Sequence, residues 1–300
     1  MARACRAAVR IVCWSALLLA AGCGGSAHPA GQRVTAPDRS SPQEQGGQYR
    51  FVTECGFSHR APDDPIMAPG HPGMSHSHDF FGNRSTDARS TLATLSRAGT
   101  TCQRSADRSG YWVPTLYLHG RAIRPRFVLA YYYGSPDKSP RRVQPPPAGL
   151  KIIAGDAGAT SPQSTRVVSW DCGPESHITE RSEVPQCPQG HSLRMLVRFP
   201  DCWDGRHLDS PDHQSHVAYY GTHSCPASHP VQIPKLFLKV SYPILGGPGV
   251  TLASGSRYSG HADFFSGWRE PAVAELVRRC IQQGPEAPRA RPCDKPRPKS

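Results

Sequence analysis

Beyond Ala21 the chain has no apolar run long enough to cross a bilayer, which excludes a membrane-spanning mature protein. It has no Cys-x-x-Cys pair, and its cysteines are widely spaced, which argues against thiolate zinc sites. A Gly-x-Ser-x-Gly elbow is missing, so the usual hydrolase nucleophile is not signalled. No glycine-rich phosphate loop follows a strand, and no nucleic-acid-binding motif occurs. There is no repeat period of the solenoid kind. Long helices are also disfavoured, because 31 prolines interrupt the chain.

What is present begins with Arg3, Arg6 and Arg10, followed by an apolar run from Ile11 to Ala21. A basic start and a short apolar core predict a signal peptide over residues 1–22. The run closes on Leu19-Ala-Ala-Gly-Cys23, which resembles a bacterial lipobox with Cys23 as the lipidated residue. Residues 23–48 carry that cysteine and a polar Pro/Gly/Ser/Gln linker, which cannot bury a core. The expected location is the outer face of the cytoplasmic membrane, or the medium if the lipobox is not used. Residues 49–283 are read as a single domain and residues 284–300 as a basic, Pro-rich tail.

Eight cysteines remain beyond Cys23, an even number that implies up to four disulfides in an exported chain. Cys172–Cys187 and Cys202–Cys225 are the preferred local pairs, each closing a short loop. The formal charge is +12, or +9 without Arg3, Arg6 and Arg10, and much of it sits in the tail. Such a balance suits anionic lipid headgroups or acidic wall polymers. The partners expected are the membrane, through Cys23, and cell-wall or extracellular polysaccharide, with no nucleic acid.

Alternating segments predict strands at residues 48–55, 110–118, 121–133, 150–155, 165–170, 192–199, 231–242 and 249–252. Two helices are predicted, from Thr86 to Ala98 and from Pro271 to Gln282. Many short strands between Pro/Gly loops indicate a mainly β, disulfide-stabilised sandwich or jelly-roll-like domain with a few short helices.

The chemistry-bearing residues concentrate in Gly70-His-Pro-Gly-Met-Ser-His-Ser-His-Asp-Phe-Phe-Gly-Asn83, Asp212-His-Gln-Ser-His216 and Gly260-His-Ala-Asp-Phe-Phe265. In an extended chain His76 and His78 project from one face, as do His261 and Asp263. Imidazole is the commonest protein metal ligand and carboxylates complete such sites. The three segments are therefore expected to converge on one divalent metal ion. The ligand candidates are His76, His78, Asp79, His213, His216, His261 and Asp263. The repeated Asp-Phe-Phe also fits a shared loop in which the aspartates only receive backbone N–H bonds. Asp64, Asp201, Asp204 and Asp209 offer carboxylates for glycosidic cleavage, but one sequence does not fix their separation. Nine aromatics (Trp112, Tyr117, Tyr131, Tyr132, Tyr133, Trp203, Tyr219, Tyr220 and Trp268) form either a sugar-stacking surface or ordinary core.

Several of these stretches occur together in one known family. Met74-Ser-His-Ser-His-Asp-Phe-Phe-Gly-Asn83, Tyr111-Trp-Val-Pro114, Phe199-Pro-Asp-Cys-Trp-Asp-Gly205 and Asp212-His-Gln-Ser-His-Val-Ala-Tyr219 run in order. Cys225-Pro-Ala-Ser-His-Pro-Val231, Pro234 and Gly260-His-Ala-Asp-Phe264 complete the set. With these the chain resembles a family of exported proteins classed as a domain of unknown function, over about Phe51 to Trp268. Ser266 precedes Gly267-Trp268 where that family usually carries Asn. The resemblance implies one exported domain and supplies no reaction. Two readings follow: a surface domain whose His/Asp site binds a metal or an extracellular ligand, or a metal-dependent hydrolase or oxidase acting on extracellular polymer.

Overall fold

A computed structural model of the chain describes residues 49–134, 142–173, 176–283 and 293. The expected signal peptide, Cys23, the expected linker and most of the expected tail lie outside them. Fifteen strands and little helix make the described part mainly β, as the alternation predicts. No helix among the described residues is long and apolar enough to cross a membrane.

The strands that position the site are β1 (Arg50–Ala61), β2 (His78–Gly82), β3 (Gly110–Pro114), β6 (Phe127–Tyr133) and β7 (Lys151–Gly155). They are joined by β8 (Val168–Asp171), β9 (Arg194–Arg198), β13 (Lys235–Ser241) and β15 (His261–Phe265). These form one nine-stranded antiparallel sheet in the order β7-β15-β3-β2-β1-β6-β13-β9-β8. Two small sheets flank it. One contains β4 (Leu116–Leu118), β5 (Arg121–Ile123) and β14 (Val250–Leu252). The other contains β10 (Cys202–Trp203), β11 (Val217–Ala218) and β12 (Val231–Gln232).

The large sheet curls until its two edges touch. Gly155 on β7 and Gly260, just before β15, pack directly on Val168 of β8, and Gly260 also faces Met195 of β9. A Cβ on Gly155 would stand 2.5 Å from the Gly260 carbonyl oxygen and 2.8 Å from the His261 Cα, and its φ is +92°. Only glycine fits that close approach without strain. The curl sets the two halves of the sheet face to face across one core, which is the sandwich-like packing expected.

Pro125 separates β5 from β6, and Pro234 separates β12 from β13, because proline cannot donate to a ladder. Where one long strand is predicted from residue 110 to 118, the chain leaves the large sheet after Pro114 and joins a small one at Leu116. The first helix is shorter than predicted. It is α1 (Leu92–Arg97), capped by Thr91, whose side chain accepts from the Thr94 N–H in a reciprocal capping box. Thr86 is buried in the preceding loop and caps nothing. The second helix is placed as predicted: α2 (Glu270–Leu276) continues into a π-helical turn over Val277–Gln282.

Four disulfides hold the domain: Cys55–Cys102, Cys172–Cys187, Cys202–Cys225 and Cys280–Cys293. The two local pairs are those expected. Such a set is the pattern of chains that fold in an oxidising compartment. Cys293 is also tied back to the sheet, its carbonyl accepting from the Val52 N–H at 3.2 Å.

The inner face carries the main core, with Phe51, Phe81, Tyr111, Val113, Tyr132, Leu238 and Phe264 among its members. A directed hydrogen-bond chain crosses it. Trp268 Nε1–H donates to the Tyr132 hydroxyl (2.9 Å), Tyr132 bonds Tyr111 (2.6 Å), and Tyr111 O–H donates to Asp107 Oδ2 (2.8 Å). Burial pushes the Asp107 carboxyl up to about 7 against these donors. The folded state therefore holds a proton that the unfolded chain, titrating near 3.8, has released. Stability carried by that proton is complete below the unfolded value and is lost as pH rises towards 7. Asp107→Asn is expected to flatten this fall, which should run on the order of 1 kcal/mol per pH unit between those values. Chemical denaturation of both proteins from pH 4 to 8 measures the difference, and parallel curves would contradict it.

A second, smaller cluster lies on the outer face of the same strands: Ile66, Phe80, Leu95, Trp112 and Phe265. β2, β3 and β15 are consequently buried on both sides, between the main core and the loop over residues 62–77 with α1.

Candidate metal centre

The period-2 alternation of β2 and β15 selects the site residues. On the outer face Phe80 pairs with Trp112 on β3, and Trp112 pairs with Asp263 on β15. Two residues further along, His78 pairs with Pro114, and His261 stands on the far side of that proline. The covering loop brings His76 over both. Its ends are tied by the Ser75 N–H donating to the Pro62 carbonyl (3.2 Å) and the Gly73 N–H donating to Asp63 Oδ1 (2.9 Å).

His76 Nε2 lies 3.2 Å from His261 Nε2, and His78 Nε2 lies 3.4 Å from the same atom. His78 donates its Nδ1–H to the Asp63 carbonyl (2.9 Å), and His261 donates its Nδ1–H to the Ser259 carbonyl (2.9 Å). A carbonyl can only accept, so in each neutral ring the proton is on Nδ1 and Nε2 is bare. Two bare nitrogens therefore face each other at 3.4 Å, and neither can donate to the other. His76 can supply one hydrogen to one of them. This is the outer-partner arrangement that fixes the tautomer of metal-ligating histidines.

The protonated alternative is closed off by burial. It lowers His78 to about 3, helped by repulsion from His76, and lowers His261 to about 3, helped by repulsion from His78. His76, half-buried at the edge, is lowered as well, again by burial.

Two carboxylates adjoin the nitrogens. Asp263 Oδ2 is 3.9 Å from His261 Nε2 and is buried with no hydrogen-bond partner among the described residues. Burial, then repulsion from Asp64, holds its carboxyl well above the usual range. Asp64 is the residue that pattern reading misses. Its Oδ1 accepts the N–H of Ile66 (2.8 Å) and Met67 (3.0 Å), and a carboxylate oxygen lies within 4.8 Å of ligand atoms on both His78 and Asp263. No periodicity links Asp64 to the histidines, because it enters on an irregular loop. Without a cation Asp263 therefore keeps its proton, and a cation beside it would favour the charged form.

The fit to a cation can be checked on spacing. Metal–nitrogen bonds of about 2.0–2.1 Å in a tetrahedral set separate two nitrogens by about 3.3–3.4 Å. The two gaps in the structure are 3.2 and 3.4 Å. His76, His78 and His261 thus supply three ligand atoms in one cluster, with Asp263 and Asp64 beside them.

Asp79, His213 and His216 do not belong to this cluster, and no group of three or more possible ligand atoms among the described residues includes them. Asp79 follows His78 on the strand and so points to the opposite face. There Arg60 grips it through Nε (2.6 Å) and Nη2 (3.2 Å). His213 Nδ1 bonds Asp209 (2.7 Å). His216 donates Nε2–H to the Lys151 carbonyl (2.6 Å), and its Nδ1 bonds Ser210 (2.8 Å). The Asp212–His216 stretch therefore clamps β7 instead of reaching an ion. The two Asp-Phe-Phe tripeptides are not matching loops either; they are β2 and β15, on either side of β3. A third grouping, Cys55, Cys102 and Asp107, offers no thiolate because both sulfurs are in a disulfide. Of the aromatics, Trp112, Tyr132 and Trp268 are core, while Tyr131 and Tyr133 are half-buried on the outer face beneath Arg50.

Residues 64–268 match the model of a family described as a domain of unknown function (DUF1996). No curated protein and no solved structure matches the chain.

Proposed function

The chain belongs to the DUF1996 family, whose description leaves the activity open, and we propose from the site alone that this is a metal-binding domain. His76, His78 and His261 hold one divalent ion, with Asp263 and Asp64 balancing its charge. The observation that carries this reading is the pair of bare Nε2 atoms 3.4 Å apart, each fixed in that state by a backbone carbonyl. No protonation state of two neutral rings satisfies such a pair, whereas a cation satisfies both at once. We further propose that the domain is exported and anchored through lipid on Cys23 at the outer face of the membrane, near wall or extracellular polysaccharide.

A second reading, a metal-dependent hydrolase or oxidase acting on extracellular polymer, draws on one feature. Three nitrogens leave a fourth position, and half-buried His76 marks the side from which a substrate would reach it. In that reading the ion supplies Lewis acidity or electron transfer. The protein's own part is to hold three rings rigid and to place the Asp64 and Asp263 carboxylates beside the reacting group.

The test is elemental analysis of the exported chain, purified without a nickel column or chelator. One ion per chain is expected, retained by His216→Ala and lost from His261→Ala. A folded chain that neither carries nor takes up zinc, copper, iron or calcium would overturn the metal reading. The polysaccharide ligand would then become the leading one, with the Tyr131–Tyr133 face as its seat.

A further inference from the structure

The metal reading leaves open which ion is held and how it reaches a buried cluster. The covering loop addresses both. Among the described residues only four large apolar side chains are exposed, and two of them are Met67 at 59% and Met74 at 75%. The other described methionine, Met195, is fully buried in the core. Both exposed thioethers therefore sit on the loop that carries the site. Met67 follows Asp64 by three residues and is held to it by its own N–H (3.0 Å). Met74 precedes His76 by two.

Two successive turns link the methionines. The His71 N–H donates to the Ala68 carbonyl (3.1 Å) and the Met74 N–H to the His71 carbonyl (3.4 Å), with His71 itself exposed between them. Burying a thioether is favourable, so presenting both to solvent is a cost without return in the fold.

Thioether sulfur is a soft donor that selects Cu(I), whereas imidazole accepts zinc, copper, iron or nickel. Copper is the ion that both donor types favour, and among divalent ions Cu(II) also binds nitrogen sites most tightly. Resting on the proposed three-histidine site, we infer that the ion is copper, captured as Cu(I) by Met67 and Met74 and passed to His76. The transfer is a ligand exchange that moves no electrons; the bound ion becomes divalent in a later step, when dioxygen as outside oxidant takes one electron from it. A sulfur lone pair leaves the ion as the His76 Nε2 lone pair replaces it, and a proton on that nitrogen moves to Nδ1 through solvent. His76 suits the receiving role because it alone of the three rings is half-exposed.

The experiment is an anaerobic titration of the full chain with Cu(I) held by a chromogenic chelator, alongside a separate zinc titration. One Cu(I) per chain is expected. Met67→Leu with Met74→Leu should slow its capture from the chelator by about tenfold while leaving the stoichiometry at one. Both sites are exposed and leucine is close in volume, so the double variant should fold, which the zinc titration verifies. Capture at the wild-type rate by the double variant would overturn the methionine route. A chain that takes zinc but no Cu(I) would overturn the choice of copper and leave the site standing. A chain that takes neither would overturn the site as well.

Discussion

On the proposed metal reading, saturating the domain with the ion is expected to raise the free energy of unfolding by about 4 kcal/mol when free metal exceeds the dissociation constant a thousandfold. The gain arises because only the folded chain brings His76, His78 and His261 together; the unfolded chain has at most His76 and His78 near each other. Asp263 sharpens the expectation. Its Oδ2 is buried and unpaired, so without metal Asp263→Asn should be neutral or stabilising by about 1–3 kcal/mol. With metal the same change should shrink the gain, since a neutral amide balances no charge. Melting curves of both proteins, with chelator and with excess metal, test the reversal of sign. Equal destabilisation of both forms would mean that Asp263 has only a packing role.

Replacing Cys55 and Cys102 together by serine should cost about 4 kcal/mol on the loop-closure account. That bridge spans 47 residues, against 13, 15 and 23 for the other three, so it restricts the unfolded chain most. It also ties the sheet to the segment between α1 and β3, since the Gln103 N–H donates to the Glu54 carbonyl and Arg104 donates to the Val52 carbonyl. Urea denaturation of the four double-serine variants should rank this one as the least stable. A smaller loss than from Cys280–Cys293 would show that strain or residual unfolded structure outweighs loop length.

Much of this could be read from the sequence, and the limits are physical. The strands were legible because β6 and β7 alternate strictly between buried and half-buried positions. The same alternation placed His261 with Asp263 on one face. The local disulfides were legible because short loops between cysteines leave few alternatives. The Asp212–His216 stretch was misassigned for a definite reason: a histidine that bonds a carbonyl and one that binds an ion can have identical spacing. His216 is committed to the Lys151 carbonyl, a partner fixed only by the fold. Asp64 is legible only as one of four loose carboxylates and not as a neighbour of the histidines, because a loop carries no period and its place depends on how residues 62–77 fold back over β2. Strand boundaries near Pro114 and Leu116 depend on which sheet captures each segment, which is decided by tertiary packing.

The strand order β15-β3-β2 also has a meaning for the order of events along the folding path. His76 and His261 are 185 positions apart in the chain, and the site forms across β3, which pairs with β2 on one side and with β15 on the other. Closing so long a segment is entropically costly and comes after local hairpins have formed. The third nitrogen is therefore delivered only when β15 docks on β3. On the metal reading, a chain in which β15 has not docked offers an ion two histidines from one short stretch and holds it weakly; a finished one offers three. Ion retention is in this sense a proofreading step on topology, and a chain that retains the ion has thereby shown that β15 has found β3.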